Sequence, residues 1–187
     1  MNSIALLISY IFEPLVVIYV LGLLGGSYAG LTGSLWRIYI VSLTLFVGMA
    51  ILVRLYFTRK DKTNWDVSDR KKRFVPLLCL SIFFGIQYFV IRSFGNASLS
   101  SLYLMLFVWN IGFFFITFKV KASGHLSSLT LAVCQTIAWF GFSYAPLILL
   151  LPLLSWSRLF LKRHTVSEVI AGISCSSILF LLSSIIG

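Results

Sequence analysis

The chain has 187 residues, of which 59% are hydrophobic and 11% charged, with a mean hydropathy of +1.01. Soluble domains carry about 25% charged and about 45–50% apolar residues, so this composition excludes a water-soluble globular fold. The formal net charge of +10 does not indicate nucleic-acid binding, because the basic residues are confined to short loops; phosphorylated headgroups or an anionic membrane surface are the expected partners.

Hydropathy predicts a series of helices that are long enough to cross a bilayer. In chain order the predicted spans are 4–24, 35–57, 74–93, 99–118, 126–140, 146–157 and 165–186. The first span lacks the basic start and the cleavage site of a signal peptide, so we interpret it as a retained helix whose Glu13 faces the bundle interior beside a tolerated Pro14. We therefore predict an all-α fold, a polytopic transmembrane bundle of six to seven spans, in a single domain over residues 1–187.

The apolar stretch 126–156 decides which loops share a side of the membrane. It is too long for one ordinary helix, and Gly141 and Pro146 near its middle favour a turn between two short helices. A tilted or re-entrant pair remains the alternative. With two crossings here, the polar loops at 59–73, 119–125 and 157–164 emerge on one side; with one crossing, the last loop lies opposite the others.

Basic residues concentrate on that predicted shared side. They are Arg54, Arg59, Lys60, Lys62, Arg70, Lys71, Lys72, Arg73, Lys119, Lys121, Arg158, Lys162 and Arg163. The other side carries only Arg37 and Arg92. Because cytoplasmic loops are enriched in lysine and arginine, we predict a multi-pass membrane protein with these loops on the cytoplasmic side.

The chain has only two histidines, and each lies in a basic loop before a predicted helix. Ser123 and Gly124 precede His125, and small residues at a helix start leave backbone N–H groups available to bind an anion. His164 and Glu168 are four residues apart, so their side chains share a helix face and can form a hydrogen bond. A carboxylate on one ring nitrogen leaves the other as a nucleophile, whereas a simple capping salt bridge is the alternative interpretation.

These loops resemble the motifs K-x6-RP, PSGH and SR-x5-H-x3-D of the type 2 phosphatidic acid phosphatase (PAP2) superfamily. Ser123-Gly124-His125 matches the second motif, and Ser157-Arg158, His164 and Glu168 match the third. The loop from Lys62 to Pro76 supplies the first motif in altered form. The resemblance covers residues 62 to 175, and its motif loops are 59–76, 119–125 and 157–168.

Three positions depart from the family pattern. Ala122 stands where the family has proline, and Glu168 replaces aspartate but can still hold His164. Lys62 is followed by Arg70 after seven residues and by Arg73 after ten, where the family has six, and neither arginine directly precedes a proline. Both arginines stay candidates for phosphate binding, with Arg73 preferred.

The resemblance implies a metal-independent membrane phosphatase that hydrolyses a lipid phosphate or diphosphate through a phosphohistidine. His164 would attack phosphorus, Glu168 would orient it, and His125 would serve as general acid and then base. The phosphoryl oxygens would be held by Lys62, Arg73 or Arg70, Arg158, the Ser123 hydroxyl and the Gly124 amide. No metal or other cofactor is expected, because fixed cations neutralise the phosphoryl charge. A site at helix ends of an apolar bundle favours amphiphiles such as phosphatidic acid, phosphatidylglycerophosphate or polyprenyl (di)phosphates.

Two other functions fit part of the sequence. Asp61, Asp66 and Asp69 form a loose cluster of the kind that membrane prenyltransferases use with Mg²⁺, but a second cluster is absent and the histidines would go unexplained. A non-catalytic PAP2-like protein that binds or transports lipid phosphates would fit the altered first motif and Glu168. The presence of both histidines favours the enzyme.

Overall fold

The computed structural model describes residues 2–60 and 74–186, which form helices joined by short turns. The elements are α1 (Asn2–Ile11), α2 (Pro14–Tyr28), α3 (Gly33–Lys60), α4 (Phe74–Ser93), α5 (Ala97–Lys119), α6 (Gly124–Phe140), a 3₁₀ helix (Phe142–Leu149), α7 (Leu150–Phe160) and α8 (Val166–Ile186). No strand occurs among these residues, so the predicted all-α class is confirmed.

Several helices are long and apolar enough to cross a membrane. Five stretches meet this condition within the described residues, namely Gly33–Tyr56, Phe74–Ser93, Ala97–Lys119, Phe142–Phe160 and Val166–Ser183. The bent pair of α1 and α2 makes a sixth if it is one span. This supports the predicted multi-pass membrane protein.

The first predicted span is not one continuous helix. The axes of α1 and α2 differ by 43° at the break between Ile11 and Pro14. Pro14 has no N–H to continue the helix of α1, but it fits the first position of α2. Glu13 is buried, and its Oε2 accepts a hydrogen bond of 2.7 Å from the Leu15 N–H, which caps α2. The predicted interior acid is therefore also the cap that starts the second helix.

The predicted hairpin in 126–156 is present, with a difference in its second arm. α6 ends at Phe140, and Gly141 adopts a φ of 92°, a backbone conformation that favours glycine. The chain then forms a 3₁₀ helix from Phe142, earlier than the predicted start at 146, and becomes α-helical only at Leu150. Pro146 lies inside the 3₁₀ segment, and a proline in the interior of an α-helix would remove a hydrogen bond and clash with the preceding turn.

Contacts between helices divide the chain into two compact units. Unit 1 comprises Met1–Leu21 and Lys119–Ile186, and unit 2 comprises Gly22–Phe118. The core of unit 1 joins α6, α7 and α8 through Leu126, Leu129, Val133, Leu154 and Val169. In unit 2 the Tyr39 hydroxyl donates to the Gly22 carbonyl at 2.8 Å and lies 3.2 Å from the Tyr103 hydroxyl.

Candidate functional site

The residues between Arg158 and His164 form the turn that joins the end of α7 to the start of α8. The Arg163 N–H donates to the Arg158 carbonyl at 3.1 Å, and the Lys162 N–H donates to the Leu159 carbonyl at 2.9 Å. These two bonds form a Schellman motif, with Lys162 in the left-handed region at a φ of 53°. The turn ends α7 and delivers His164 to the start of α8.

His164 and Glu168 form the contact that their spacing predicts. The Glu168 Oε2 lies 2.9 Å from the His164 Nδ1 and accepts a second hydrogen bond of 3.1 Å from the Thr165 N–H. The Glu168 N–H in turn donates to the Thr165 Oγ1 at 3.4 Å, so Thr165 and Glu168 form a capping box. The same carboxylate therefore caps α8 and contacts the His164 ring, and this geometry is compatible with both interpretations.

The geometry sets which nitrogen of His164 can react. An ionised carboxylate can only accept hydrogen bonds, so it would pair with a hydrogen on the Nδ1, and in the neutral imidazole the Nε2 would then keep the lone pair. The His164 side chain is 2% exposed and that of Glu168 is 19% exposed, so the imidazole is buried and the carboxylate is partly exposed. Chemically, the arrangement provides an imidazole nitrogen nucleophile with a fixed tautomer.

The loop of the second motif rests on the turn of the third. The Ser123 N–H donates to the Glu168 carbonyl at 3.0 Å, and the Lys121 Nζ lies 3.5 Å from the Arg163 carbonyl. The structure therefore brings the Ser123 loop against the start of α8, which is the arrangement that the predicted hairpin requires. The loops that carry these contacts also expose three basic side chains, namely Lys119, Lys162 and Arg163.

The start of α6 has the features of an anion site. Ser123 occupies the N-cap position but makes no side-chain capping bond, and its fully buried hydroxyl has no hydrogen-bond partner among the described residues. A buried hydroxyl without a partner costs about 1–3 kcal/mol, so a bound ligand oxygen would relieve it. Gly124 and the buried His125 follow in the first turn, where N–H groups point out of the helix.

Arg158 is buried at the C-terminal end of α7. It is 1% exposed, and its NH1 group donates to the Ser9 hydroxyl of α1 at 2.6 Å. The neighbouring Ser157 hydroxyl donates to the Ala5 carbonyl at 2.7 Å. These contacts of α1 were not predicted from the sequence. The available signal was the pair of small residues four positions apart, Ala5 and Ser9, in an otherwise bulky helix.

Gly172 was also missed, and it sets the distance between α8 and the Ser123 loop. A Cβ at this position would lie 2.6 Å from the Ser123 carbonyl oxygen, so only glycine permits the approach. One turn further, the Ser176 hydroxyl lies 2.6 Å from the Ser127 hydroxyl. Glu168, Gly172 and Ser176 are four residues apart, and this spacing in an apolar span was the signal for a helix contact.

The predicted residues of the first motif, Lys62, Arg70 and Arg73, lie outside the described residues, as does the aspartate cluster at Asp61, Asp66 and Asp69. Their proposed roles stay predictions. Among residues 2–60 and 74–186, no group of three or more histidine, cysteine, aspartate or glutamate side chains is arranged to hold a metal ion.

The fold and the site together define a multi-helix chain suited to the membrane, with an imidazole–carboxylate pair, a second histidine and a buried arginine at the ends of α6, α7 and α8. Comparison with protein-family models, with curated proteins and with solved structures finds no match. The PAP2 resemblance therefore depends on the sequence motifs.

Proposed function

We propose that the chain is a metal-independent membrane phosphatase of PAP2 type, which hydrolyses a lipid phosphate or diphosphate through a phosphohistidine on His164. The observation that carries the proposal is the 2.9 Å contact between the His164 Nδ1 and the Glu168 Oε2, whose carboxylate is held in place by the Thr165 N–H. In this contact the Nε2 is the ring nitrogen that would act as the nucleophile, and the Ser123 loop packs against the same turn through the bond from the Ser123 N–H to the Glu168 carbonyl.

The proposed reaction has two steps. In the first, the His164 Nε2 forms a bond to phosphorus, the bond from phosphorus to the lipid oxygen breaks, and His125 gives that oxygen a proton. In the second, His125 takes a proton from water, the water oxygen attacks phosphorus, and the bond to His164 breaks. Arg158, the Ser123 hydroxyl and the Gly124 N–H stabilise the phosphoryl charge. Lys62 and either Arg73 or Arg70 would add cations from the first motif.

The substrate class follows from the position of these residues at the ends of apolar helices. His164, Arg158 and Ser123 are buried, while the loops around them are basic. An amphiphile could keep its chains in the bilayer while its phosphate meets the cations. Phosphatidic acid, phosphatidylglycerophosphate and polyprenyl phosphates or diphosphates share this chemistry. The motif loops would face the cytoplasm by their excess of basic residues.

The test is phosphate release by the detergent-purified protein from a panel of these lipids, with EDTA present. We expect release from at least one lipid, and we expect His164→Ala to lower it by about 1,000-fold or more because the nucleophile is lost. Radiolabelled substrate should label the wild type and not His164→Ala. Arg92→Gln is the matched control, since it removes an exposed cation of unit 2 and should leave release unchanged.

One observation favours the non-catalytic alternative, a protein that binds or transports lipid phosphates. Glu168 is part of a capping box, which would stabilise α8 without any chemistry at His164. The same lipid panel separates the two functions. Binding of a lipid phosphate without release, or release that survives His164→Ala, would replace the phosphohistidine mechanism with this alternative.

A further inference from the structure

We propose that Ser9 of α1 positions Arg158 for phosphate binding, so that the N-terminal helix completes the phosphoryl pocket from outside the three motif loops. The inference rests on the proposed function in one respect, namely that Arg158 binds a phosphoryl group. It assigns a role to a helix that no motif covers.

The first support is the burial of the guanidinium. Arg158 is 1% exposed within an apolar unit, where an arginine without hydrogen bonds is strongly unfavourable. Its NH1 donates to the Ser9 hydroxyl at 2.6 Å, and Ser9 is itself buried. A long arginine side chain has many rotamers, and a hydrogen bond to a fixed helix selects one of them.

The second support is that α1 is docked in register with the end of α7. The Ser157 hydroxyl donates to the Ala5 carbonyl at 2.7 Å, one helical turn before Ser9 on α1. Ile8 and Phe12 pack against the apolar core of unit 1. Two polar contacts and an apolar contact therefore fix α1, and Ser9 cannot shift without the whole helix.

The experiment compares Ser9→Ala with Ser9→Thr, which keeps the hydroxyl, and with Ser3→Ala, which changes an exposed serine on the same helix. The affinity for inorganic phosphate is measured by calorimetry on the full chain in detergent, together with kcat and KM on the lipid substrate. We expect Ser9→Ala to weaken phosphate binding and raise KM by about tenfold, the scale of one hydrogen bond to a charged group. Ser9→Thr should stay within about twofold of the wild type, and Ser3→Ala should be unchanged.

A purely structural role would give a different pattern. It would lower the thermal midpoint and the active fraction of Ser9→Ala, while the folded fraction kept its phosphate affinity; this result would overturn the inference. In an Arg158→Lys background, Ser9→Ala should add no further loss, and an equal added loss would also overturn it. If Ser9→Ala does not fold, Ser9→Cys provides the test, since it keeps similar volume with a weak hydrogen-bonding group.

The outcome also separates this inference from the proposed function. If no lipid is hydrolysed but the wild type binds inorganic phosphate and Ser9→Ala weakens that binding, the catalytic proposal fails and the role of Ser9 stands. If lipids are hydrolysed and Ser9→Ala leaves KM and phosphate affinity unchanged, the role of Ser9 fails and the phosphatase stands. If the wild type does not bind inorganic phosphate, the role of Ser9 is overturned.

Discussion

Unit 1 and unit 2 are both apolar, but they bury different kinds of polar groups. Among the described residues, the buried groups that form a carboxylate, an imidazole or a guanidinium all lie in unit 1, at Glu13, His125, Arg158 and His164. The buried polar residues of unit 2 are neutral, namely Ser81, Ser100, Asn110 and Thr117. Ionisable groups are expensive in an apolar medium and are retained where they act.

The hydrogen bonds of unit 2 serve to join helices. The Asn110 Nδ2 of α5 donates to the Leu77 carbonyl and to the Ser81 hydroxyl of α4, both at 2.7 Å. Stacked aromatic rings, such as Phe46 against Phe83, add to this packing. Under the proposed function, unit 1 would carry the histidines and Arg158 of the reaction, and unit 2 would serve mainly as a scaffold. Each prediction below tests that division, beginning with the largest expected effect.

After His164 itself, the largest effect is expected at Glu168. Glu168→Gln keeps the side-chain length but removes the charge that holds the His164 tautomer, so phosphate release should fall by about 100-fold or more. Glu168→Asp should also lose activity, because a side chain about 1.5 Å shorter cannot reach both the His164 Nδ1 and the Thr165 N–H. Initial rates at saturating lipid provide the measurement.

Val166→Ala is the matched control for Glu168, since Val166 is exposed in the same helical turn. It should keep its release rate. Wild-type activity in both Glu168 variants would mean that the carboxylate only caps α8. The proposed reaction at His164 in unit 1 would then lose its main structural support.

The next effect is expected at Gly172. In Gly172→Ala the new Cβ would meet the Ser123 carbonyl oxygen, a backbone atom that cannot move aside, and α8 must shift. We expect a loss of about 1–3 kcal/mol in the free energy of unfolding, with reduced phosphate release, because the Ser123 loop moves away from Glu168. Thermal unfolding in detergent measures the first quantity.

Gly48 of α3 is the matched glycine in unit 2, because a Cβ there would meet nothing within 4 Å. Gly48→Ala should be neutral or stabilising by about 0.5–1 kcal/mol, since alanine is the better helix former. Equal effects of the two substitutions on the free energy of unfolding would show that the close approach at Gly172 does not contribute to stability.

Glu168 and Gly172 illustrate what could and what could not be predicted from the sequence. His164 and Glu168 are only four residues apart in the chain, and the apolar spans are runs of consecutive residues, so both the contact and the spans could be predicted from the sequence. Ser9 and Gly172 act through contacts between helices that are distant in the chain, and no local pattern specifies which faces meet. The break at Glu13 and the 3₁₀ segment around Pro146 also depend on capping and packing. From the sequence, the nearby prolines indicate only that the helices are interrupted there.

A smaller effect is expected at Lys162, which adopts a left-handed conformation just before His164. Lys162→Gly should be more stable than Lys162→Ala by about 1 kcal/mol, because glycine has no Cβ to clash in this conformation. Both variants lose the lysine charge, so the difference reports the backbone alone. Phosphate release should be the same in both. Equal stabilities would indicate that the Schellman turn is already relaxed.

The smallest effect is expected in unit 2, at Tyr103. Since the Tyr39 hydroxyl donates to the Gly22 carbonyl, it accepts from Tyr103, and Tyr103→Phe removes this one bond. Hydrogen bonds between helices in a membrane contribute about 0.6 kcal/mol on average, so the unfolding free energy should fall by about that amount. Tyr144→Phe, at an exposed position, controls for the loss of a hydroxyl. Release of phosphate should be unaffected by either change, because the Tyr103 bond joins helices and touches no residue of the proposed reaction. If Tyr103→Phe folds but releases less phosphate, unit 2 contributes to the reaction, and the proposed division of roles between the two units is wrong.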